Sequence, residues 1–145
     1  MADYTIRPAR EEDVPRLREI EALCFTDPWS GESIRSSLAS PLYYARVAPA
    51  EGAVTAYLIA QLVSGEGELL RIAVMPEARS AGVGRALIET MLAENPGVTP
   101  WRLDVRESNG GAIRLYESIG FRPIIRRRGA YEKPAEDGIM MILET

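Results

Sequence analysis

A glycine-containing segment between a β-rich run and an amphipathic helix constrains the fold of this chain more than any other feature. It reads Arg79-x-x-Gly82-x-Gly84, and it follows the β-rich run Glu68–Val74. Two glycines let the backbone approach a ligand without a Cβ clash, and the free N–H groups at a helix start attract anions. The segment therefore predicts either a phosphate cradle or a tight strand-to-helix turn that is flanked by solvated arginines.

The spacing of these glycines narrows the class of phosphate ligand. A dinucleotide fingerprint would need a third glycine at position 87, where this chain has Leu87. A Walker loop would need Gly-Lys-Ser/Thr, which does not occur here. If the segment binds phosphate, we therefore expect a ligand other than NAD or ATP.

The pattern of apolar residues and turn signals predicts a mixed α+β fold, a sheet with helices on its faces. In chain order we predict a strand at Tyr4–Arg7, helices over 11–24 and from Ser30, strands at Tyr43–Val47, Val54–Val63 and Glu68–Val74, a helix that ends at Asn95, a strand at Trp101–Val105, a helix from Asn109 to Gly120, and strands at about Phe121–Arg128 and Gly138–Leu143. A polar, proline-containing loop is expected between the last two strands. The length of 145 residues suits one domain over 1–145.

Composition excludes several kinds of chemistry. The chain has no histidine and one cysteine, Cys24, so Ser–His and Cys–His nucleophile pairs and the usual zinc sites are ruled out. We expect no metal, and acid–base chemistry must come from Asp, Glu, Tyr, Lys or a bound water. A net charge of −4 argues against nucleic-acid binding. The first residues are charged and the longest apolar run, Val54–Val63, is too short to span a bilayer, so we expect a soluble, cytoplasmic protein without a membrane partner.

Two motifs together resemble the GNAT superfamily of acetyl-CoA-dependent N-acetyltransferases. The first is a strand followed by Gln/Arg-x-x-Gly-x-Gly/Ala at the start of a helix, here Arg79 to Gly84. The second is an Asn that begins a helix ending in Leu-Tyr-Glu-x-x-Gly-Phe, here Asn109 with Leu115 to Phe121. The order of predicted elements also matches that family over almost the whole chain.

Within the superfamily, three local features resemble the bacterial ribosomal-protein-alanine N-acetyltransferases. They are Pro28-Trp29-Ser30, the stretch Leu103-Asp104-Val105-Arg106-Glu107-Ser108-Asn109, and Arg127-Arg128 with Tyr131 followed by Glu136-Asp137 and a closing methionine strand. Two departures stand out. Asp104 occupies the position where that family usually has Glu, and the loop Gly129–Asp137 is shorter than the family's.

The resemblance implies a GNAT-like acyl-CoA N-acyltransferase fold, with a central, mostly antiparallel sheet and one parallel strand pair that splays after Val74. It implies that the pantetheine arm of acetyl-CoA lies in that splay and that the glycine segment holds the pyrophosphate. The residues that it assigns to acetyl-CoA are Ile72, Ala73, Val74, Arg79, Ser80, Ala81, Gly82, Val83, Gly84, Arg85, Asn109 and Ala112.

The resemblance also implies an acid–base pair, with Asp104 as the base and Tyr116 as the acid. Period-2 alternation places Asp104 and Arg102 on one face of their strand, so an alternative is a surface carboxylate paired with Arg102 or Arg106. Tyr116 follows Asn109 by seven residues, roughly 10 Å along one helix face. Its alternative is an aromatic side chain packed in the core.

For the substrate, Tyr131 either helps to hold the acceptor amine or main chain or is an ordinary loop tyrosine. Trp29 either walls a peptide groove or simply packs in the core. The expected reaction is acetyl transfer to the N-terminal α-amine of a protein by direct attack on the thioester, and the resemblance implies a small-subunit ribosomal protein as the acceptor. Two alternatives remain: acetylation of a small-molecule amine, and a non-catalytic acyl-CoA-binding domain with a regulatory role. The oligomeric state is left open.

Overall fold

The structure is a computed structural model that describes residues 5–50, 52–79 and 81–145. Its strands are β1 (Arg7–Pro8), β2 (Tyr43–Ala50), β3 (Ala53–Val63), β4 (Glu66–Val74), β5 (Trp101–Arg106), β6 (Arg122–Glu132) and β7 (Ala135–Leu143). Its α-helices are α1 (Val14–Cys24), α2 (Gly31–Ala39), α3 (Val83–Glu94) and α4 (Gly110–Ile119), and short 3₁₀ turns precede α1 and α3. The strands form one sheet in the order β1-β2-β3-β4-β5-β7-β6. The mixed, mostly antiparallel sheet with flanking helices is confirmed.

The parallel pair at the centre of the sheet is β4 with β5, and it separates early. Pairing runs from Gly67 opposite Trp101 only to Leu69 opposite Leu103. The splay was predicted after Val74, so the position of the opening was wrong. The physical reason lies in β4, whose register against β3 shifts between Leu69 and Arg71. A bulge of this kind bends and twists its strand, and parallel pairing stops at the same point.

The sheet separates two apolar cores. On one face α1 and α2 bury Val14, Leu17, Ile20 and Ile34 against Tyr57, Ile59 and Ala73 of the sheet. On the other face α3 and α4 bury Leu87, Ile88, Met91 and Tyr116 against Leu58, Leu69, Trp101, Leu103, Val105 and Met141. Each α-helix therefore packs on the sheet through an apolar face. This packing positions the helices relative to the gap between β4 and β5.

Local capping signals place the helix ends where the sequence predicts them. The Ser30 hydroxyl accepts a hydrogen bond from the Ser33 amide at 3.0 Å and begins α2. The Asn109 side chain accepts one from the Ala112 amide at 3.2 Å and begins α4, which ends at Gly120 with a φ of +125°. These contacts satisfy N–H groups that have no partner within the helix.

The segment Gly129–Asp137, predicted as a loop, is mostly strand. β6 continues to Glu132 and β7 starts at Ala135, with Tyr131 opposite Glu136. The glycine and proline that suggested a loop are absorbed by a register irregularity between Arg127 and Tyr131 and by the tight turn after Glu132. Of the predicted first strand, Tyr4 lies outside the described residues and β1 covers Arg7–Pro8. Within the described ranges, no helix is long and apolar enough to cross a membrane.

Close packing between β4 and β5 makes Gly67 a sensitive position. A Cβ added to Gly67 would lie 2.3 Å from a ring carbon of Trp101, which is fully buried. We expect Gly67→Ala to destabilise the protein by about 2 kcal/mol, the usual cost of overpacking a core, in chemical denaturation. Gly97→Ala is the control, because a Cβ at Gly97 meets nothing within 4 Å. Equal stability of the two variants would contradict this packing.

Candidate active site

The gap between β4 and β5 opens into a groove of about 980 Å³. Five parts of the chain line it: the loop between α1 and α2, the middle of β4, the end of β5, α4, and the β6–β7 hairpin. The groove therefore lies where the backbone of the sheet is interrupted. All four predicted catalytic and substrate-binding residues line it, namely Asp104, Tyr116, Tyr131 and Trp29.

Asp104 and Tyr116 reach this groove from opposite faces of the sheet. Leu103 and Val105 are buried on the α3–α4 face, so alternation turns Asp104 toward the α1–α2 face. Tyr116 belongs to α4 and packs in the core of the other face. The interruption of pairing lets the two side chains line one space, which a continuous sheet would prevent.

Tyr116 is largely buried, with an exposed fraction of 7%, and its ring packs edge-on against Phe121 at 5.9 Å between centroids. Burial, helped by the neighbouring Tyr131, raises the pKa of Tyr116 to about 12. The hydroxyl therefore stays protonated at neutral pH and can donate a hydrogen bond into the groove. The sequence suggested two alternatives for Tyr116, a side chain packed in the core and a side chain of the site. In the structure Tyr116 does both, because it packs in the core and also lines the groove.

Asp104 is half-exposed, and its carboxylate forms an ion pair with Arg127 of β6, with 3.3 Å between Oδ1 and Nε. The sequence suggested Arg102 or Arg106 as its partner, and this was wrong. Arg102 pairs with Glu66 at 2.6 Å, and Arg106 pairs with Glu136 at 3.2 Å. Long-range pairing of β5, β7 and β6 brings Arg127 to this carboxylate.

Tyr131 lies near Asp104, and Arg106 holds it in place. The Arg106 guanidinium lies 4.4 Å from the centre of the Tyr131 ring and donates to the carbonyls of Lys133 and Pro134 at 2.8 and 2.9 Å. Partial burial and the Asp104 carboxylate raise the pKa of Tyr131. Arg106 thus contacts a predicted site residue, and the sequence analysis did not assign it although it belongs to the stretch that resembles the family.

On the α1–α2 side of the groove, Trp29 packs partly on the α1 core and also lines the groove. Its amide donates to the fully buried Glu21 carboxylate at 2.7 Å, and Glu21 also pairs with Arg71 of β4 at 3.0 Å. Burial raises the pKa of Glu21 despite these contacts. The sequence analysis missed this pair; the available signals were a carboxylate on the apolar face of α1 and an arginine within an apolar strand.

The glycine segment begins α3, and its two glycines serve different purposes. Gly82 has a φ of +84°, and a Cβ placed there would meet nothing within 4 Å. A Cβ on Gly84 would contact Leu115 at 3.6 Å, so this glycine lies at the contact between α3 and α4. The open side of Gly82 and the adjacent N–H groups of Val83 and Gly84, which have no carbonyl one turn earlier in a helix, fit an anion.

Arg79 and Arg85, the two arginines predicted to bind acetyl-CoA, form contacts with other residues of the protein. Arg79 donates from Nε to the Val74 carbonyl at 2.9 Å, and its Nη2 lies 3.5 Å from the Cys24 sulfur. Arg85 contacts the Ser118 hydroxyl and lies 3.6 Å from Glu89, so it bridges α3 and α4. Arg79 is thus placed at the end of β4, beside the groove.

The other predicted acetyl-CoA residues are near the same gap but do not all line the groove. Ile72 and Asn109 line it, Ala73 is buried on the α1 face, and Ala112 is half-buried on α4. Ala81 precedes Gly82, and Ser80 lies outside the described residues. Across the described part of the chain, no group of three side chains is arranged to hold a metal ion.

The interrupted parallel pair beside a helix that starts at a glycine fits the acyltransferase fold that the sequence motifs resemble, and comparison with known proteins agrees. The model of the acetyltransferase (GNAT) family matches residues 14–121, and this chain belongs to that family. It is therefore an acetyltransferase of the acetyl-CoA-dependent type. The expected enzyme class is confirmed.

The sequence relatives carry more specific names. The [ribosomal protein bS18]-alanine N-acetyltransferase of Escherichia coli K12 is 36% identical over 96% of both chains. The protein of that name from Haemophilus influenzae is 30% identical over 89% of this chain and 90% of its own.

Solved structures agree with the fold. The crystal structure of the E. coli ribosomal-protein-S18-alanine N-acetyltransferase superposes with a TM-score of 0.90 at 36% identity, covering 98% of this chain and 94% of that chain. Arabidopsis thaliana NAA60, solved with acetyl-CoA, has a TM-score of 0.86 at 19% identity over 98% of each chain. This last similarity concerns the fold alone.

The geometry at Gly82 predicts how the protein responds to acetyl-CoA. At 100 times Kd, a ligand that binds only the folded state contributes about 2.7 kcal/mol, roughly 5–11 °C in Tm for a domain of this size. We expect this increase for the wild-type protein in thermal unfolding. Gly82→Val should abolish it, because a β-branched side chain is strained at positive φ and would occupy the open side of the backbone.

Gly52→Val is the matched control. Gly52 has a φ of +83° and equally open surroundings, but it lies in the turn between β2 and β3. Both variants should lose intrinsic stability, and only Gly82→Val should lose the increase in Tm on adding acetyl-CoA. An undiminished increase in Gly82→Val would contradict the placement of the pyrophosphate.

Proposed function

We propose that this chain transfers the acetyl group of acetyl-CoA to the N-terminal α-amine of a protein, and that its acceptor is a ribosomal protein with an N-terminal alanine. The observation that carries the proposal is the 36% identity over 96% of both chains with an enzyme of that name. We also propose that residues 1–145 act as one catalytic domain. A ribosomal acceptor would be met in the cytoplasm, the compartment that the sequence analysis favours.

The shape of the groove supports a chain-like acceptor. It is bounded on one side by the loop between α1 and α2 and on the other by the β6–β7 hairpin. The Thr26 hydroxyl donates to the carbonyl of Lys133, so these two walls are joined at one end. An extended peptide could enter with its amine first, toward Asp104 and Tyr131.

The cofactor side fits acetyl-CoA, which supplies an activated acetyl group as a thioester. The edge of β4 beyond Leu69 has no strand partner on the β5 side, so its backbone groups could bond the pantetheine arm. The backbone at the start of α3 would hold the pyrophosphate. The residues that we assign to acetyl-CoA are Ile72, Ala73, Val74, Arg79, Ser80, Ala81, Gly82, Val83, Gly84, Arg85, Asn109 and Ala112.

We assign Asp104 the role of the base that removes a proton from the acceptor amine. A protein N-terminus has a reference pKa of about 7.7–8.0, so much of it is protonated and non-nucleophilic at pH 7. A carboxylate on the acceptor face can first bind the ammonium and then accept its proton. Asp is one methylene shorter than Glu, and we propose that an ordered water completes its reach.

We propose that Tyr116 helps the thiolate of CoA to leave. Its pKa of about 12 lies above the reference value of about 8.5 for a thiol, so complete transfer of the phenolic proton to the leaving sulfur would be unfavourable. We therefore assign Tyr116 the role of a hydrogen-bond donor that stabilises the developing negative charge on sulfur. The proton released by the amine leaves by way of Asp104.

The identity of the acceptor is tested with acetyl-CoA and a panel of amines. We expect peptides with a free N-terminal alanine to be acetylated at the α-amine, because an amine near pKa 8 loses its proton more easily than a lysine near 10.4. Mass spectrometry should count α- and ε-acetylated products separately. Predominant acetylation of lysine or of small amines would refute the proposed acceptor, and binding of acetyl-CoA without turnover of any amine would favour a regulatory domain.

The roles of Tyr116 and Asp104 are tested by conservative substitution. Tyr116→Phe keeps the ring and removes the hydroxyl, so kcat should fall by about 10²–10³, the usual effect of removing one such donor, while the Kd for acetyl-CoA is unchanged. Asp104→Asn should lose less activity and should recover partly as rising pH deprotonates the amine. Steady-state rates from pH 6 to 10 measure both effects.

Matched controls separate these roles from general effects. Tyr43→Phe removes a hydroxyl from β2, and Glu66→Gln removes a carboxylate paired with Arg102; both residues lie outside the groove that Asp104 and Tyr116 line. Neither should change kcat appreciably. A Tyr116→Phe enzyme with wild-type kcat throughout the pH range would show that the thiolate leaves without help.

A further inference from the structure

The cluster formed by Glu21 and Arg71 lies in the acceptor half of the groove, and no role in the reaction assigned above uses it. The bulge in β4 determines where Arg71 points. Arg71 pairs with Ile59 while Leu69 pairs with Ala60, so Leu69 packs on the α3–α4 face and Arg71 on the α1–α2 face. Arg71 therefore shares the sheet face of Asp104 and lines the same groove.

The Arg71 guanidinium is held rigidly. Its Nη2 donates to the Glu21 carboxylate at 3.0 Å and to the Asp27 carbonyl at 2.9 Å. Its plane stacks on Phe25, 4.0 Å from the ring centre, with Trp29 at 5.2 Å. Such a guanidinium loses little freedom on forming another hydrogen bond.

One nitrogen of this group remains available. Among the described residues, nothing accepts from Nη1 of Arg71, whereas Nε is fully buried without a partner. The side chain is 17% exposed and Glu21 is not exposed at all. The free edge of the guanidinium therefore faces the groove and needs an acceptor there.

Glu21 determines what kind of acceptor is compatible with Arg71. An unpaired arginine would repel a protonated amine in the same groove. Because Glu21 is buried against it, the pair carries little net charge when both are ionised, and Arg71 acts as a hydrogen-bond donor beside a cationic substrate. A neutral oxygen close to the amine is the matching partner.

We propose that Nη1 of Arg71 donates to the first peptide carbonyl of the acceptor and thereby selects amines that lie on the carbon next to a carbonyl. This inference rests on the proposed function and specifies its substrate class as α-amino amides. A lysine ε-amine has no such oxygen beside it and would leave Arg71 unpartnered. Arg71 is thus a specificity-determining residue on the acceptor side.

The test is a cycle of two enzymes and two acceptors. One acceptor is an N-terminal alanine peptide; the other carries a trans carbon–carbon double bond in place of the first amide, which keeps the shape and removes the carbonyl oxygen. For wild-type enzyme we expect kcat/KM to fall about 10–100-fold on the alkene peptide, the range expected for a hydrogen bond from a charged donor. Arg71→Met should be slow with the amide peptide and should lose this discrimination, apart from the part that comes from the higher pKa of an amine without a neighbouring carbonyl; that part is measured from the pH dependence of both reactions.

Controls address folding and the cofactor. Because Arg71→Met leaves Glu21 buried without a counter-ion, the double variant Glu21→Gln/Arg71→Met removes both charges and the donor, while the amide oxygen at position 21 can still accept from Trp29. It should keep the circular dichroism spectrum and acetyl-CoA Kd of the wild type and should lose discrimination in the same way. Arg102→Met also breaks an arginine–glutamate pair on this sheet face outside the groove and should keep wild-type discrimination.

The outcomes separate this inference from the proposed function. If wild-type enzyme acetylates neither peptide, the proposed function is wrong. If it acetylates the amide peptide but the variants lose activity equally on both peptides, Arg71 only supports the fold and the inference is overturned. Discrimination that is lost in both variants and kept in Arg102→Met supports it.

Discussion

The end of hydrogen bonding between β4 and β5 is the constraint on which the rest of this structure depends. Beyond Leu69 and Leu103 the two strands no longer pair, so backbone donors and acceptors at the centre of the sheet need other partners. At the end of β4 one of them, the Val74 carbonyl, accepts from Arg79. A sheet opened in this way offers an extended ligand the hydrogen bonds that a neighbouring strand would otherwise take.

The same opening lets two faces of the sheet contribute to one reaction. α3 and α4 bring the glycine segment and Tyr116 to one side, whereas α1, α2 and the β6–β7 hairpin bring Trp29, Tyr131 and the surroundings of Asp104 to the other. Each side has its own apolar core, which holds these groups in place. In the proposed reaction, the cofactor and the acceptor would be held by different layers and would meet at the gap.

Local sequence patterns predicted the helices and strands and which side chains share a face of each. They could not predict contacts between residues that are distant in the sequence. Alternation over Trp101–Val105 placed Asp104 on its face, and the caps at Asn109 and Gly120 placed α4, because neighbours along the chain determine both. The partner of Asp104 depends on the register of β5, β7 and β6, which composition does not encode. Arg71 faces the groove because a bulge shifts the register of β4 by one residue. The alternation of apolar and polar residues along the sequence does not predict where a bulge occurs.

Burial distinguishes the two ion pairs that face the acceptor. Asp104 and Arg127 are half-exposed, at 36% and 52%, and such pairs contribute about 0–1 kcal/mol, so in the proposed reaction an incoming ammonium would replace Arg127 on the carboxylate at little cost. Glu21 is buried and Arg71 is only 17% exposed, so removing the Arg71 charge would leave the Glu21 carboxylate buried without a partner, at a cost of about 3–5 kcal/mol. In the proposed reaction, the exchangeable pair would therefore lie at the reacting amine, and the less exposed pair would be the fixed reference against which the acceptor backbone is positioned.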